Sequence, residues 1–173
     1  EAFADLVDGH GGSELAGEGL YLLGEARFRA GQYAEAVEPL ARLVRDEPAH
    51  AAADKAYFRL GLALAHLERW KECEAALSEL ARRASGFELA AEADLWRGRA
   101  LAALGDRRSA QAAFERVVAR DKSVLAARAR IGIGRLALDA GAAEEALAEF
   151  LKVALLYADE EEVSLALYLA GTA

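Results

Sequence analysis

The chain has 173 residues, of which 54% are hydrophobic and 29% charged, and its formal net charge is −8. The apolar fraction is sufficient for a folded core, and the acidic balance disfavours nucleic acid and a membrane surface as partners. No apolar run approaches 18 residues, which disfavours direct membrane insertion. The single cysteine, Cys73, excludes an internal disulfide and a paired-cysteine metal site.

Helix-forming residues run along the whole chain and are interrupted by glycines at a regular interval. These are Gly24, Gly61, Gly98, Gly134 and Gly171, spaced by 37, 37, 36 and 37 residues. A glycine inside a helix costs about 1 kcal/mol relative to alanine, so its recurrence indicates a packing requirement. A fixed period of this length is typical of a helical repeat protein.

In chain order, the period divides the chain into four complete units between two incomplete ones. The segment 1–12 has Phe3, Leu6 and Val7 in the apolar pattern of the end of a helix. The complete units are 17–53, 54–90, 91–126 and 127–163, and 164–173 is a partial first helix. We expect one helical-repeat domain over 1–173, cut from a longer chain.

Each complete unit is predicted to be a helix A, a turn and a helix B. With the recurrent glycine as position 8, position 20 is always small and positions 24 and 27 form an apolar stripe. Position 24 holds Leu40, Leu77, Phe114 and Phe150, and position 20 holds Ala36, Cys73, Ala110 and Ala146. The turn carries a second glycine, except in the second unit, which has Glu68 there.

The segment "LYLLGEARFRAGQYAEAVEPLARLVRDEP" resembles a tetratricopeptide repeat, with Gly24, Ala36, Leu40 and Pro48 in register. The resemblance recurs in phase and implies an all-α, right-handed superhelix of antiparallel helix pairs, an α-α solenoid. The units exceed the usual 34 residues, as in bacterial cell-envelope members of the family, and the extra residues are expected to lengthen helix A. The compartment stays open between bacterial periplasm and cytoplasm.

The resemblance also implies a partner-binding groove on the concave side, formed by the A helices. Arg99 and Arg135 are expected to meet acidic groups there, and part of the apolar row is expected to pack between A helices. The residues assigned to this groove are Tyr21, Phe28, Lys55, Phe58, Leu62, Leu95, Arg99, Arg128, Ile131 and Arg135.

Charged residues also stand at positions of helix A that are usually apolar. Asp94, Arg97 and Arg130 are expected to lie on slightly rotated, partly exposed helices instead of in a buried charge site. Arg116 and Arg120 are expected to point outward from helix B. The acidic run "DEEE" at 159–162 suits the positive end of a helix dipole.

The other chemical signals have structural explanations. "DGHGGSE" at 8–14 lacks the other parts of a hydrolase site, the three histidines are far apart, and Cys73 stands where packed helices need a small residue. We therefore expect no catalytic, cofactor or metal site. The sequence predicts a non-catalytic scaffold that binds another protein or a peptide segment. The alternative is a structural module that spaces domains of a larger, cell-envelope protein or self-associates through uncapped ends.

Overall fold

The computed structural model of the protein describes residues 14–173, and within them it contains α-helices and turns but no strand. The predicted helix end at 1–12 lies outside the described residues. Clustering of contacts divides the chain into two compact units, Glu1–Glu88 and Leu89–Ala173. The described helices are α1 (Glu14–Arg29), α2 (Tyr33–Asp46), α3 (Ala53–His66), α4 (Trp70–Arg83), α5 (Ala90–Ala103), α6 (Arg107–Arg120), α7 (Val124–Asp139), α8 (Ala143–Leu156) and α9 (Glu160–Ala170).

The helices alternate between A and B roles, as the period predicts. In the first unit α1 packs on α2 and α3 on α4, and in the second α5 packs on α6 and α7 on α8. Successive A helices also contact each other, α1 with α3 and α5 with α7, and α9 contacts α7 and α8. The predicted all-α helical-repeat fold is confirmed, whereas the handedness of the superhelix and the single-domain interpretation stay predictions.

The recurrent glycines lie where helix A meets the apolar stripe of its own helix B. A Cβ atom built on Gly61 would lie 2.5 Å from Leu77 Cδ2, and one built on Gly98 would lie 2.5 Å from Phe114 Cε1. Gly24 meets Leu40 and Gly134 meets Phe150 in the same way. Each pair joins position 8 to position 24, so the register read from the sequence is confirmed.

Phe114 is held by two glycines instead of one. Besides its contact with Gly98, its ring lies 2.7 Å from the place that a Cβ of Gly132 would occupy. Phe114 is 2% exposed and belongs to a core cluster with Leu95, Val117 and Leu136. The ring therefore occupies the space between α5 and α7 in which side chains at the two glycines would lie.

The small residue of helix B is fully buried in all four repeats. Ala36, Cys73, Ala110 and Ala146 each have 0% exposure. At Cys73 the loss of water disfavours the charged form, so burial raises the pKa of the thiol to about 12. The prediction of a buried, structural cysteine is confirmed.

The turn between helices A and B uses a left-handed residue in every repeat. Gly31, Gly105 and Gly141 have φ angles of 74°, 80° and 75°, and Glu68 adopts 56° at the equivalent position. Glycine takes this conformation freely, whereas a side chain there crowds the backbone at a cost of roughly 1–2 kcal/mol. The second repeat therefore carries a strained turn.

The extra residues of each repeat do not lengthen helix A by a full turn. Helices α3 and α5 have 14 residues each, the same length as the B helices. The six residues 47–52 and 84–89 form connections between repeats instead. Helix α7, which follows a three-residue connection, has 16 residues, as α1 does, so this expectation was wrong for the second and third repeats.

Asp94 is buried, contrary to the expected partly exposed helix. It is 6% exposed, and its carboxylate accepts hydrogen bonds from Arg116 Nη2 at 2.8 Å and from Arg120 Nη1 at 3.2 Å. Arg116 and Arg120, predicted to point outward from helix B, keep side-chain exposures of 39% and 53% while they pair with Asp94. Because a buried carboxylate needs its partners, both guanidinium groups help to hold α6 against α5.

The other two unusual charges are half-buried. Arg130 donates to Glu149 Oε2 at 2.9 Å, and the side chains are only 18% and 16% exposed. The Tyr157 hydroxyl accepts a further hydrogen bond from Arg130 at 3.3 Å. Arg97 is also half-buried. Ion pairs, instead of a rotation of the helix toward solvent, accommodate Asp94 and Arg130.

A bulky side chain at position 8 should disrupt the packing of helix A on helix B. We expect Gly98→Leu to lower the free energy of unfolding by about 3 kcal/mol or more, because the new side chain overlaps Phe114. Thermal and urea denaturation followed by circular dichroism would measure the change. Gly86→Leu is the matched control, since a Cβ at Gly86 meets nothing within 4 Å. Equal losses for both variants would contradict the assigned contact.

Relieving the strained turn should stabilise the protein. We expect Glu68→Gly to raise the free energy of unfolding by up to about 1 kcal/mol, because glycine accepts the positive φ angle but loses more entropy on folding. Gly105→Ala should lower the free energy of unfolding, because alanine is strained at a φ angle of 80° even though a Cβ there meets nothing within 4 Å. Differential scanning calorimetry would show shifts of opposite sign, and a lower melting temperature for Glu68→Gly would refute the argument.

Cys73 should resist thiol reagents while the protein is folded. With a pKa of about 12 the thiol is almost entirely protonated at pH 8, and its side chain has no exposed surface. We expect iodoacetamide to label it at least about a hundredfold more slowly in buffer than in guanidinium chloride. Mass spectrometry over time would follow the adduct, and comparable rates in the two conditions would show that Cys73 is accessible.

Candidate functional site

The ten residues predicted for the groove fall equally into the two units. In the first unit, Phe58 and Leu62 are buried at 2% and 4% exposure and serve packing. Tyr21 and Phe28 are half-buried, and Lys55 is exposed. Burial, followed by the charge of Glu25, raises the pKa of the Tyr21 hydroxyl. Of the five predicted residues in this unit, Tyr21, Phe28 and Lys55 therefore offer surface.

An ion pair already occupies the centre of that side. Glu25 is 7% exposed and accepts hydrogen bonds from Arg29 Nε at 2.7 Å and from Arg59 Nε at 2.6 Å. Because Arg59 lies on α3 and Glu25 on α1, the pair joins the A helices of the first two repeats. Glu25 and Arg59 are thus paired within the protein.

Aromatic rings surround the same arginine. The Arg59 guanidinium lies 5.2 Å from the Phe28 ring centroid and 5.5 Å from that of Phe58, within the range of a cation–π interaction. Phe28 also contacts Tyr33 edge-on, and Tyr33 stacks on His66 at 4.1 Å. Two of the predicted groove residues, Phe28 and Phe58, therefore meet at Arg59, which the sequence analysis did not select.

In the second unit, four of the five predicted residues line one cavity of about 330 Å³. Arg99 comes from α5, while Arg128, Ile131 and Arg135 come from α7. The fifth, Leu95, is 2% exposed and lies in the core instead. The wall is completed by Ala102, Phe114, Gly132, Leu136, Asp139, Glu162 and Leu165.

The three arginines of this cavity differ in their partners. Arg128 Nε donates to Glu162 Oε1 at 2.6 Å, an ion pair that joins α7 to α9. Arg99 lies over the Trp96 ring at 4.7 Å. Within residues 14–173, no carboxylate forms an ion pair with Arg99 or Arg135. Two of the three guanidinium groups therefore keep their hydrogen-bonding capacity for a ligand.

The positive charge of Arg99 is disfavoured in the cavity. Burial, and after it the positive charge of Arg128, holds the pKa of Arg99 below its ordinary value. Glu162 opposes this shift, and Arg135 adds to it. Because the charged form of Arg99 is disfavoured here, a bound anion would relieve the repulsion.

Glu162 and Leu165 are site residues that the sequence analysis missed. Asp159 caps α9 by accepting the Glu162 amide at 3.1 Å, as the helix-dipole interpretation of the acidic run suggests. Glu162 itself is 6% exposed and turns toward Arg128. A spacing of 34 residues between opposite charges, seen also for Glu25 and Arg59, was the signal available in the sequence.

The arrangement offers charged and apolar groups that can bind a ligand. Across residues 14–173, no group of three or more histidine, cysteine or carboxylate side chains is placed to hold a metal ion. None of the helices in that range combines the length and hydropathy required to cross a bilayer. Arginine and apolar surface in one cavity suit a carboxylate attached to an apolar chain.

Comparison with protein families identifies the repeat. Models described as tetratricopeptide repeat match residues 18–50 and 97–162, which together make up more than half of the chain. The two matches fall in different structural units and agree with the period of the glycines. A comparison with curated protein sequences finds no match.

Solved structures with the same fold include proteins described as TPR proteins. MamA from Desulfovibrio magneticus RS-1 is 22% identical, with a TM-score of 0.71, over 81% of this chain and 75% of its own. YrrB, described as a TPR protein with an unusual peptide-binding site, is 19% identical, with a TM-score of 0.73, over 99% of this chain and 81% of its own.

The thermophilic TPR protein TTC0263 of Thermus thermophilus is 21% identical, with a TM-score of 0.67, over 99% of this chain and 88% of its own. At these identities the likenesses describe the fold alone. The family models, the period of the glycines and the helix pairing agree. The chain belongs to the tetratricopeptide repeat family.

Proposed function

We propose that this protein is a non-catalytic scaffold whose second unit binds an acidic, partly apolar segment of a partner protein. The observation that carries the proposal is the pair of guanidinium groups, Arg99 and Arg135, that lack a carboxylate partner within residues 14–173 while lining one cavity. Tetratricopeptide repeat proteins generally act as scaffolds, and the fold is shared with a described peptide-binding protein.

The chemistry of the cavity favours a carboxylate ligand. Arginine presents a planar fork of N–H donors that matches a carboxylate, and partial burial strengthens such hydrogen bonds. The lowered pKa of Arg99 supports this, since a nearby negative charge would stabilise the guanidinium. Glu162 already neutralises Arg128, so the ligand is directed to Arg99 and Arg135.

The apolar part of the wall favours a mixed ligand over a simple anion. Ile131, Leu136 and Leu165 line the same cavity beside the arginines. At about 330 Å³ the space suits one or two side chains of a peptide. A segment that alternates glutamate with leucine would place both kinds of group against this wall.

Charge reversal in the cavity should abolish most of the binding and spare the fold. Using a fluorescent, end-blocked peptide of alternating Glu and Leu, we expect Arg99→Glu/Arg135→Glu to weaken binding by roughly 1–3 kcal/mol. Stability should change little, because Arg135 is exposed and neither arginine forms an ion pair within residues 14–173 that the substitution would break. Fluorescence anisotropy would measure the dissociation constant, and circular dichroism the helicity and melting temperature.

Arg108→Glu/Lys71→Glu provides the matched control. Both residues are exposed, both lie in the first turn of a B helix, and the double variant changes the net charge by the same amount. It should lower affinity only slightly, and mainly at low salt.

Arg116 and Arg120 are unsuitable as controls because they pair with buried Asp94. A loss of affinity in the Arg108/Lys71 variant equal to that in the Arg99/Arg135 variant would reject the cavity as the site. Equal binding of a peptide with glutamine in place of glutamate would reject it too. A concentration-dependent increase in mass by sedimentation equilibrium, without peptide binding, would favour the self-assembly alternative.

A further inference from the structure

A second surface of the second unit, separate from the arginine cavity, carries exposed leucines. Leu147, Leu151 and Leu155 follow one another at intervals of four residues on α8, which places them along one face of the helix. Their exposed fractions are 38%, 42% and 81%, and the adjoining Leu156 is 63% exposed. We call Leu147, Leu151 and Leu155 the α8 stripe.

The α8 stripe is not needed to pack α8 into the fold. The core side of the helix is supplied by other residues, which are Ala146, Phe150 and Val153. The positions equivalent to the stripe on α6 are occupied by Gln111, Glu115 and Ala119, all exposed. On α4 they are Glu74, Ser78 and Arg82. The repeat therefore folds with polar or small residues at these positions. Packing within the repeat does not explain the leucines of the fourth repeat.

The surroundings of the stripe are strongly acidic. Residues 143–173 contain seven carboxylates and one cation, Lys152. Glu149 pairs with Lys152 and Arg130, and Glu162 pairs with Arg128. The remaining five carboxylates are exposed, namely Glu144, Glu145, Asp159, Glu160 and Glu161.

Exposed carboxylates stand before and after the stripe along the chain. Glu144 precedes Leu147 by three residues and so shares its face of α8. Asp159 and Glu160 follow shortly after Leu155, at the start of α9. The stripe is thus an apolar strip, about 12 Å long at 1.5 Å per residue, that carboxylates precede and follow along the chain.

We propose that the α8 stripe docks an amphipathic helix of another protein whose leucine-like residues are flanked by lysine or arginine. Three anchors one helical turn apart match the side-chain spacing of a helix laid alongside α8. The carboxylates before and after the stripe select a basic partner by charge complementarity. A second copy that presented the same surface would bring carboxylates against carboxylates, which disfavours a symmetric dimer here.

The test uses the 1–173 chain and three synthetic peptides of about 14 residues. The probe is a labelled Leu/Lys peptide with all leucines on one helical face. One comparison peptide has glutamate in place of each lysine, and the other has the probe's composition in an order that is not amphipathic. We expect only the probe to bind, with an affinity that falls as salt rises.

Two variants locate the binding surface. Leu151→Ser/Leu155→Ser should weaken binding of the probe by about tenfold or more, because both leucines would be covered by the partner. Leu15→Ser/Leu22→Ser is the matched control, since it removes two leucines of α1 that are 64% and 40% exposed and changes no charge. It should leave binding unchanged. Glu144→Gln/Glu160→Gln should weaken binding about threefold and flatten its salt dependence.

Several results would overturn the proposal. They include equal binding of the glutamate or non-amphipathic peptide, and an equal loss for the α1 control. Self-association that disappears in Leu151→Ser/Leu155→Ser would make a second copy the occupant. A rise in probe affinity on deletion of residues 1–13 would make this chain's own segment the occupant. The arginine cavity is tested with a peptide of opposite charge, so the two proposals succeed or fail independently.

Discussion

The close approach of helix A to helix B at a glycine is the constraint on which each repeat depends. The apolar side chain at position 24 occupies the space where the Cβ of the position-8 residue would lie, as at Gly61 against Leu77. The contact brings the fully buried alanine or cysteine of position 20 against the same seam. Dispersion contacts and exclusion of water then outweigh the entropic cost of a glycine inside a helix. The position of the glycine thus sets the separation of the two helices and the register of the stripe.

The fold could be predicted from the sequence because this constraint is local and recurs. Position 8 and position 24 are only 16 residues apart, and the same pair of a glycine and a large apolar residue occurs in four repeats. The buried charges were not predictable in the same way. Asp94 looks like any helical carboxylate, and its burial depends on Arg116 and Arg120, which reach it from the next helix. A periodic pattern reports what repeats have in common, whereas these ion pairs occur in one repeat only.

The same distinction applies to the candidate site. The sequence placed Arg99, Arg128, Ile131 and Arg135 on one side of the A helices, and the cavity in the second unit brings them together. The sequence did not distinguish arginines that have an internal carboxylate partner from those that have none. Arg128 is neutralised by Glu162, and Arg59 of the first unit by Glu25, whereas Arg99 is crowded by like charge. The electrostatic state of each arginine depends on the neighbouring helix, which a single helix's pattern does not report.

The ring of Phe114 between Gly98 and Gly132 has a consequence for how this sequence can evolve. The three positions share one volume, so a gain of even a methyl group at either glycine must be matched by a smaller side chain at position 114. Neither change is neutral alone, since one overfills the space and the other leaves a cavity. The three positions should therefore be substituted together along a lineage. Alanine at position 98 or 132 becomes permissible only with a side chain smaller than leucine at position 114, since leucine already fills the same space against Gly24 and Gly61.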